Sequence, residues 1–246
     1  MRGRLHSIET FGAVDGPGIR TVFFLQGCPA RCLYCHNPDS WGMDGGRDIE
    51  IKEIVHWAER GRPYYGSKGG VTFSGGEPLM QGKFLAQAIR ALNEVGIRSA
   101  IDTSGTYVDE YTEDAIKEAD LVLLDIKHPM SDRFEVIAGR KQDTLFELID
   151  IINRNRKNVW IRNVVVPDIN DTPEDIELLN EFIKKIRYVD KVELLGYHTM
   201  AVNKYAKLGL TYRLKGVPPM DGAKLNELRQ LVEIPSETIS QIVIGE

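Results

Sequence analysis

Nearly continuous apolar runs alternate along the chain with segments in which apolar residues recur at helical spacing. The runs VFFL, LVLL and WIRNVVV suit parallel strands that are covered on both faces. Because helical patterns separate these runs, the chain predicts an α/β fold with a parallel sheet. The predicted strands are 21–26, 71–74, 98–102, 121–127, 159–166 and 192–197.

Amphipathic segments lie between the strands, with apolar residues at positions i, i+3, i+4 and i+7. They predict helices near 51–58, 85–92 and 176–186. Thr172 suits a helix N-cap and Pro173 the first helical position, and the two acids that follow favour the positive end of a helix. A last helix is predicted at about 221–232, before the strand-like stretch SQIVIG.

Six strand–helix units fall short of the eight that close a full barrel. We therefore expect an incomplete (β/α)6 TIM-like barrel, formed by a single domain over residues 1–246. The alternative is an open doubly wound sheet. In both architectures the chemistry lies at the carboxyl ends of the strands.

Composition and charge narrow the class of protein. The chain is 42% hydrophobic and 27% charged, with a net charge of −5, so it lacks the basic footprint of a nucleic-acid-binding protein. Its first residues contain no apolar stretch of a secretory signal, and no window reaches the roughly 18 apolar residues of a membrane span. We expect a cytoplasmic protein, in which disulfides are rare.

All three cysteines of the chain crowd into eight residues, as C-x3-C-x2-C after the first strong strand. Buried structural thiols need no such crowding. A zinc site would require the adjacent Cys35 and His36 to reach one tetrahedral ion. The substring CLYCH also matches a haem attachment pattern, which requires export in most settings and leaves Cys28 over. An iron–sulfur cluster uses all three thiols, and one iron is then open to a small molecule.

The motif C-x3-C-x2-C resembles that of the radical S-adenosylmethionine (SAM) enzymes. In order along the chain, longer stretches resemble the glycyl-radical-enzyme activating enzymes of that group. These stretches are IETFGAVDGPGIRTVFFLQGCPARCLYCHNPDSW, VTFSGGEPLMQ, AIDTSG, LVLLDIKH, VWIRNVVVPDIND and VELLGYH.

This resemblance implies a [4Fe–4S] cluster on Cys28, Cys32 and Cys35, with SAM on the open iron. It implies that reductive cleavage of SAM gives a 5′-deoxyadenosyl radical, which removes a hydrogen atom from a glycine Cα of a partner protein. The resemblance is strongest to the activators of pyruvate formate-lyase, which implies that enzyme as the partner under anaerobic conditions. It also implies flavodoxin or ferredoxin as the electron donor.

One absence separates the chain from activators of several other glycyl radical enzymes, which carry an inserted ferredoxin-like segment with extra cysteines. Here 39 residues separate Cys35 from Gly75, and none is a cysteine. A second cluster of the usual all-cysteine type is therefore excluded. The alternatives are a radical SAM enzyme that activates another glycyl radical enzyme, or one that acts on a small molecule.

The resemblance also assigns residues outside the cysteine motif. Gly75, Gly76 and Glu77 would meet the methionyl amino group of SAM, although a plain turn would use the same glycines. Further contacts to SAM are implied for Tyr34, His36, Asp102, Asp125, Lys127 and His198.

Several of these residues have a second interpretation. Asp125 and Lys127 would point the same way from a strand and could form a buried salt bridge. His198 could be an ordinary polar loop residue. The resemblance further implies a monovalent cation, Na⁺ or K⁺, at Asp102, Thr103 and Asp125, since oxygen ligands suit a hard cation.

Two charged residues remain. Asp15 lies in DGPG, a stretch that suits a tight turn, and the resemblance makes it a candidate to grip the backbone of the partner's glycine loop. Arg162 lies in the middle of a predicted strand. A buried cation needs a carboxylate partner, which could belong to a ligand or to the protein.

Overall fold

The structure is a computed structural model that describes residues 1–235. The strands in these residues form one mixed sheet. The six predicted strands are confirmed, with ends that differ by at most three residues. The strands are β1 (Arg2–Gly12), β2 (Arg20–Leu25), β3 (Arg47–Glu50), β4 (Gly70–Gly75), β5 (Ser99–Thr103), β6 (Leu121–Asp125), β7 (Asn158–Val165) and β8 (Val189–Gly196).

The strand order is β3-β1-β2-β4-β5-β6-β7-β8. Strands β2 and β4 to β8 pair as parallel neighbours in chain order. A doubly wound sheet would reverse direction at a switch point. Since no reversal occurs among these strands, the doubly wound alternative is wrong and the incomplete barrel is confirmed.

The antiparallel strands β1 and β3 extend the sheet beyond β2 and were not predicted. They are held to each other partly by exposed ion pairs, such as Arg4–Asp48 at 2.9 Å and Arg2–Glu50 at 3.2 Å. Such polar strands contain no continuous apolar run. They therefore lack the sequence pattern that predicts a buried parallel strand.

Helices follow the parallel strands. The helices predicted near 51–58, 85–92, 176–186 and 221–232 are confirmed, and four others were not predicted. The helices are α1 (Ile51–Tyr65), α2 (Gly82–Glu94), α3 (Thr112–Glu118), α4 (Ser131–Ala138), α5 (Asp143–Arg154), α6 (Pro173–Ile183), α7 (Val202–Lys207) and α8 (Gly222–Gln230).

The N-cap predicted at Thr172 is confirmed, and α8 also has a side-chain cap. Thr172 caps α6, and its side chain and that of Asp175 bond each other's backbone N–H groups. Asp221 caps α8 by accepting a hydrogen bond from the backbone of Lys224. The stretch SQIVIG lies outside the described residues.

The two faces of the parallel sheet differ in polarity. Phe73, Ile101 and Val122 face the helices and join the main apolar core. Intervening residues point the other way. At the amino ends of the strands, Ala100, Leu121 and Leu123 form a small separate cluster with Trp160. Towards the carboxyl ends the inner face is polar, and this is where the candidate site lies. Within residues 1–235, no helix combines the length and apolarity that crossing a bilayer requires.

Candidate active site

The three cysteines lie on a loop that follows β2, here called the cysteine loop (residues 26–41). Its two ends are joined by backbone hydrogen bonds from Gly27 N to Ser40 O (2.8 Å) and from Cys28 N to Trp41 O (3.0 Å). Gly27 has φ +95°, a left-handed conformation that favours glycine. The loop is therefore closed at the carboxyl end of the sheet.

Other parts of the chain hold the middle of this loop. Arg31 N donates to Ala138 O at 2.7 Å, and Leu33 N donates to Ile137 O at 2.9 Å, so the end of α4 pairs with the loop backbone. The hydroxyl of Tyr205 donates to Cys35 O at 3.2 Å. The geometry of the cysteines thus depends on segments distant in sequence.

The cysteine thiols are half-buried. Burial, aided by Glu77, raises the pKa of Cys28 to about 12. Burial also raises the pKa of Cys32 to about 11, although Lys127 opposes the shift. Because metals bind thiolates and not thiols, a bound cation must supply the compensating charge.

Among the residues that the structure describes, no three His, Cys, Asp or Glu side chains are grouped as ligands of a single metal ion. A cubane cluster makes a different demand, since its thiolates bind separate irons. Three soft sulfur donors on one short loop suit such a cluster.

The loop after β4, here called the glycine loop (residues 75–77), packs its backbone directly on the cysteine loop. Gly75 has φ +111°, and a side chain there would collide with the backbone of Leu25. A side chain on Gly76 would collide with the carbonyl of Gly27. Both glycines are therefore required by close approach of two backbones, which is the condition under which backbone can also approach a ligand.

Glu77 is completely buried. Its Oε1 accepts hydrogen bonds from Thr103 Oγ1 (2.7 Å) and Leu79 N (3.2 Å). Its Oε2 accepts from the hydroxyl of Ser104 (2.8 Å) and from the backbone N of Ser104 (3.0 Å). Burial raises the pKa of Glu77, and these hydrogen bonds oppose the increase. The carboxylate thus fastens the glycine loop to the end of β5.

Asp102 and Thr103 are neighbours on β5 with different partners. Asp102 Oδ2 accepts a hydrogen bond from Ser74 Oγ at 2.8 Å. The hydroxyl of Thr103 is instead donated to Glu77. The two side chains therefore point in different directions, as alternation along a strand requires.

Asp125 and Lys127 form the buried salt bridge that was the alternative interpretation. Lys127 Nζ lies 2.6 Å from Asp125 Oδ2 and 5.2 Å from the centre of the Tyr34 ring. Burial by itself would lower the pKa of Lys127, but Asp125, Tyr34 and Cys32 together outweigh it, and the pKa is raised well above its usual value. The second oxygen, Asp125 Oδ1, is buried and has no hydrogen-bond partner among the described residues.

His36 and His198 are brought together from opposite ends of the barrel. Their ring centres are 4.1 Å apart, with an angle of 30° between the planes. Burial, with a contribution from His198, lowers the pKa of His36 to about 4. The ring of His36 is therefore neutral near pH 7.

Arg162 is buried between two carboxylates of the protein. Its guanidinium lies 3.5 Å from Asp102 and 3.5 Å from Glu193, and it donates to the backbone carbonyl of Val14. Burial would lower its pKa, but these acids raise it. Its partners thus belong to the protein.

Asp15, the next residue after Val14, is half-buried. Burial, followed by the nearby Asp102, raises the pKa of Asp15.

Sequence reasoning missed three polar residues on the inner face. Thr72 donates to the backbone carbonyl of Asp15 at 2.6 Å, Ser74 donates to Asp102, and Glu193 pairs with Arg162. The alternation Thr-Phe-Ser in β4 was the available signal. It places two hydroxyls on the face opposite the apolar core.

The family model described as the Radical SAM superfamily matches residues 22–183, which include the cysteine loop, the glycine loop and strands β4 to β7. The chain belongs to the radical SAM superfamily. The residues assigned by resemblance to this group, from Tyr34 to His198, thus lie on a chain of that superfamily.

Curated relatives match nearly the full chain. A pyruvate formate-lyase-activating enzyme of Clostridium pasteurianum is 47% identical over 95% of this chain and 98% of its own length. One of Staphylococcus epidermidis is 40% identical over 94% and 96%. The chain is thus similar to these enzymes from end to end.

Solved structures of lower identity share the fold. A domain of a pyruvate-formate lyase-activating enzyme from Bacteroides vulgatus is 22% identical, with a TM-score of 0.54 over 67% of this chain and 92% of that chain. SuiB of Streptococcus suis, in a structure bound to S-adenosylmethionine, is 19% identical, with a TM-score of 0.61 over 83% and 44%.

The cofactors of a radical SAM protein are a [4Fe–4S] cluster and SAM, and the site has features that fit both. Three thiols suit the cluster. Three polar atoms next to them are buried without a hydrogen-bond partner in the described part of the chain, although such atoms are normally paired. They are the Tyr34 hydroxyl, Asp125 Oδ1 and His198 Nδ1. Donor and acceptor groups of this kind suit a polar, zwitterionic ligand such as SAM.

Proposed function

We propose that this protein activates pyruvate formate-lyase, in the cytoplasm and under anaerobic conditions, by forming a radical on a glycine of that enzyme. The observation that carries the proposal is the 47% identity, over 95% of this chain, to an enzyme named for that activity. The cysteine count supports it, because all three cysteines are used by one cluster and no second all-cysteine cluster can form.

Cys28, Cys32 and Cys35 hold the cluster. When bound, the cluster and SAM supply the 5′-deoxyadenosyl radical that removes hydrogen from the glycine Cα. The residues of the chain position the reactants. Tyr34, His36 and His198 contact SAM from the side of the cysteine loop, and the two stacked imidazoles form one wall of its site.

The other wall is built by the ends of β4, β5 and β6. Gly75, Gly76 and Glu77 offer their backbone to the amino group of SAM, and the Glu77 carboxylate keeps that backbone in place. Asp102 and Asp125 contribute carboxylates, and Lys127 holds one oxygen of Asp125 so that the other remains available.

A monovalent cation, Na⁺ or K⁺, is part of the proposal. The carboxylates of Asp102 and Asp125 would be its ligands, and Thr103 would offer its backbone carbonyl, because its hydroxyl is donated to Glu77. Oxygen donors of this kind suit a hard cation.

The glycine loop of the partner enters the interior of the incomplete barrel. A closed barrel of eight strands fills its interior with side chains, whereas six parallel strands leave a side open. Asp15 lies at this interior surface, next to the carbonyl that Arg162 holds, and we assign it the role of gripping the peptide backbone.

One reaction mixture tests the function. The reconstituted protein is reduced without oxygen and mixed with SAM and pyruvate formate-lyase. We expect a glycyl radical signal by electron paramagnetic resonance, and 5′-deoxyadenosine as product. 5′-Deoxyadenosine without the glycyl signal would show that pyruvate formate-lyase is not the partner. The Cys32→Ala variant is the control and should give neither product, with iron and sulfide content well below the wild type.

A further inference from the structure

A long stretch of the chain lacks acids. Residues 194–220 include no Asp or Glu, although 36 acids in 246 residues would place about four in a stretch of this length. The same stretch contains Lys204, Lys207, Arg213 and Lys215. It is thus a basic segment in a protein whose net charge is −5.

The fold turns these bases outward. Tyr212 and Leu214 are buried, so the alternating Arg213 and Lys215 are exposed. Lys204 and Lys207 are three positions apart on α7 and share a face of that helix. Lys207, Arg213 and Lys215 form no ion pair within residues 1–235, whereas Lys204 lies 3.5 Å from Asp39. We call Arg31, Lys204, Lys207, Arg213 and Lys215 the basic surface.

The basic surface is attached to the cysteine loop. Lys204 Nζ donates to the side chain of Asn37 at 2.9 Å, and Arg213 donates to the backbone carbonyl of Arg31. The guanidinium of Arg31 lies 4.6 Å from the centre of the Trp41 ring. Each of these contacts is made to a residue within six positions of a cluster cysteine.

A cavity connects the basic surface to a cluster ligand. It has a volume of about 210 Å³, and Cys32 lies in its wall together with Arg31, Arg213, Tyr205 and Leu210. Electron transfer becomes rapidly slower with distance, so a partner seated over this cavity would be well placed to reduce the cluster.

Exposed apolar side chains accompany the bases. Met200 is 78% exposed and Leu208 46%, and Val202 and Leu210 are also exposed. Apolar groups within a charged rim are typical of protein interaction sites, and the charge of the rim determines which partner is attracted.

We propose that the basic surface is the docking site of an acidic, low-potential electron-carrier protein. The inference rests on the proposed function, which requires one electron for each cleavage of SAM. In the transfer the carrier is oxidised by one electron and the cluster is reduced by one, and no covalent bond forms or breaks. The glycine loop of pyruvate formate-lyase is assigned to the barrel interior near Asp15, which leaves this outer surface for the carrier.

The test measures binding and not activity alone. The holoenzyme is titrated without oxygen with a purified flavodoxin, and the Kd is measured at low and at high salt. Opposite charges across an interface accelerate association and lose strength as salt rises. We expect Lys207→Glu/Lys215→Glu to raise the Kd at least tenfold at low salt and to flatten the salt dependence. The neutral pair Lys207→Gln/Lys215→Gln should have a smaller effect in the same direction.

Lys185→Glu/Arg187→Glu is the matched control. It changes the net charge equally at two exposed bases between α6 and β8, at the end of the sheet opposite the cysteine loop. Its Kd should stay within about twofold of the wild-type value, because it alters only the overall charge and not the basic surface.

Two results would overturn the docking site. One is an equal rise of the Kd in the surface and control pairs. The other is weakened binding of pyruvate formate-lyase by the surface pair with flavodoxin binding unchanged. Dithionite, which bypasses any carrier, separates this inference from the proposed function. If the dithionite-reduced wild-type protein, mixed with pyruvate formate-lyase, cleaves SAM without forming a glycyl radical, the proposed function fails. The flavodoxin titration still decides whether the basic surface is the docking site.

Discussion

The hydroxyl of Thr103 donates a hydrogen bond of 2.7 Å to Glu77, which links the end of β5 to the glycine loop after β4. Ser104 donates two further hydrogen bonds to the same carboxylate. A carboxylate that accepts from four protein donors is fully satisfied without a ligand. The Glu77 carboxylate therefore fixes the backbone of the loop that contains Gly75 and Gly76.

Replacing Glu77 by Gln should destabilise the protein by about 1–3 kcal/mol, the usual cost of leaving a buried polar group unsatisfied. An amide would present N–H groups where Thr103 and Ser104 also donate. Anaerobic urea unfolding of the holoprotein measures the loss. Glu59→Gln, at an exposed position of α1, should change the free energy of unfolding by less than about 0.5 kcal/mol. Equal stability of the two variants would show that the four hydrogen bonds do not matter.

Adding a methyl group at Gly76 should weaken SAM binding by at least tenfold, because the new side chain would collide with the carbonyl of Gly27 and separate the two loops. Equilibrium dialysis of SAM against the holoprotein measures the effect. Gly222→Ala is the control, since a side chain there meets no atom within 4 Å. Wild-type affinity for SAM in Gly76→Ala would show that SAM binding does not require the close approach of the two loops.

Arg162→Met should cost about 3–5 kcal/mol, because it leaves Asp102 without its buried cation and Glu193 with only the partly exposed Lys191 as a partner. Arg162→Lys keeps the charge and should cost less. The bond to the carbonyl of Val14 is lost in Arg162→Met, so we expect faster hydrogen–deuterium exchange in residues 13–18. Unchanged exchange there would show that Arg162 does not anchor this loop.

Protonation of His128 should destabilise the protein in mild acid. The side chain has no exposed surface, and burial, with the nearby Arg133, lowers its pKa from 6.5, although Asp175 opposes the shift. Below about pH 6.5 the unfolded chain binds a proton that the folded chain does not, so stability falls as the pH falls towards the folded-state pKa. Above pH 6.5 the full stability is present.

Urea unfolding between pH 5 and pH 8 measures this dependence. His128→Gln should reduce the loss of stability below pH 6.5. The exposed His56→Gln is the control and should keep the wild-type dependence. A profile in His128→Gln that is as steep as in the wild type would assign the loss to other groups.

The parallel core of the fold could be predicted because buried strands such as β6 are apolar except at their carboxyl end. The antiparallel strand β1 could not, since most of its exposed residues are polar or charged and it is joined to β3 partly by ion pairs. Contacts between side chains of different strands could not be predicted from the sequence either. Alternation placed Asp125 and Lys127 on one side of a strand, but nothing in the sequence showed that Arg162 would find Asp102 and Glu193.

The candidate site was likewise only partly predictable from the sequence. The cysteine spacing predicts the cluster ligands from the sequence alone, because a motif within eight residues carries its own geometry. The partner of Glu77 could not be inferred, since Thr103 lies 26 positions away. The stacking of His36 on His198 joins two ends of the barrel and required the fold itself.

The pairing of the cysteine loop with α4 has a consequence for biosynthesis. Arg31 and Leu33 bond to carbonyls about a hundred residues later in the chain, and Tyr205 completes the support of Cys35. All three cysteines therefore leave the ribosome well before the structure that holds them has been translated. Cluster insertion must follow synthesis of most of the protein, because until then the nascent cysteines lack the backbone partners that hold their loop.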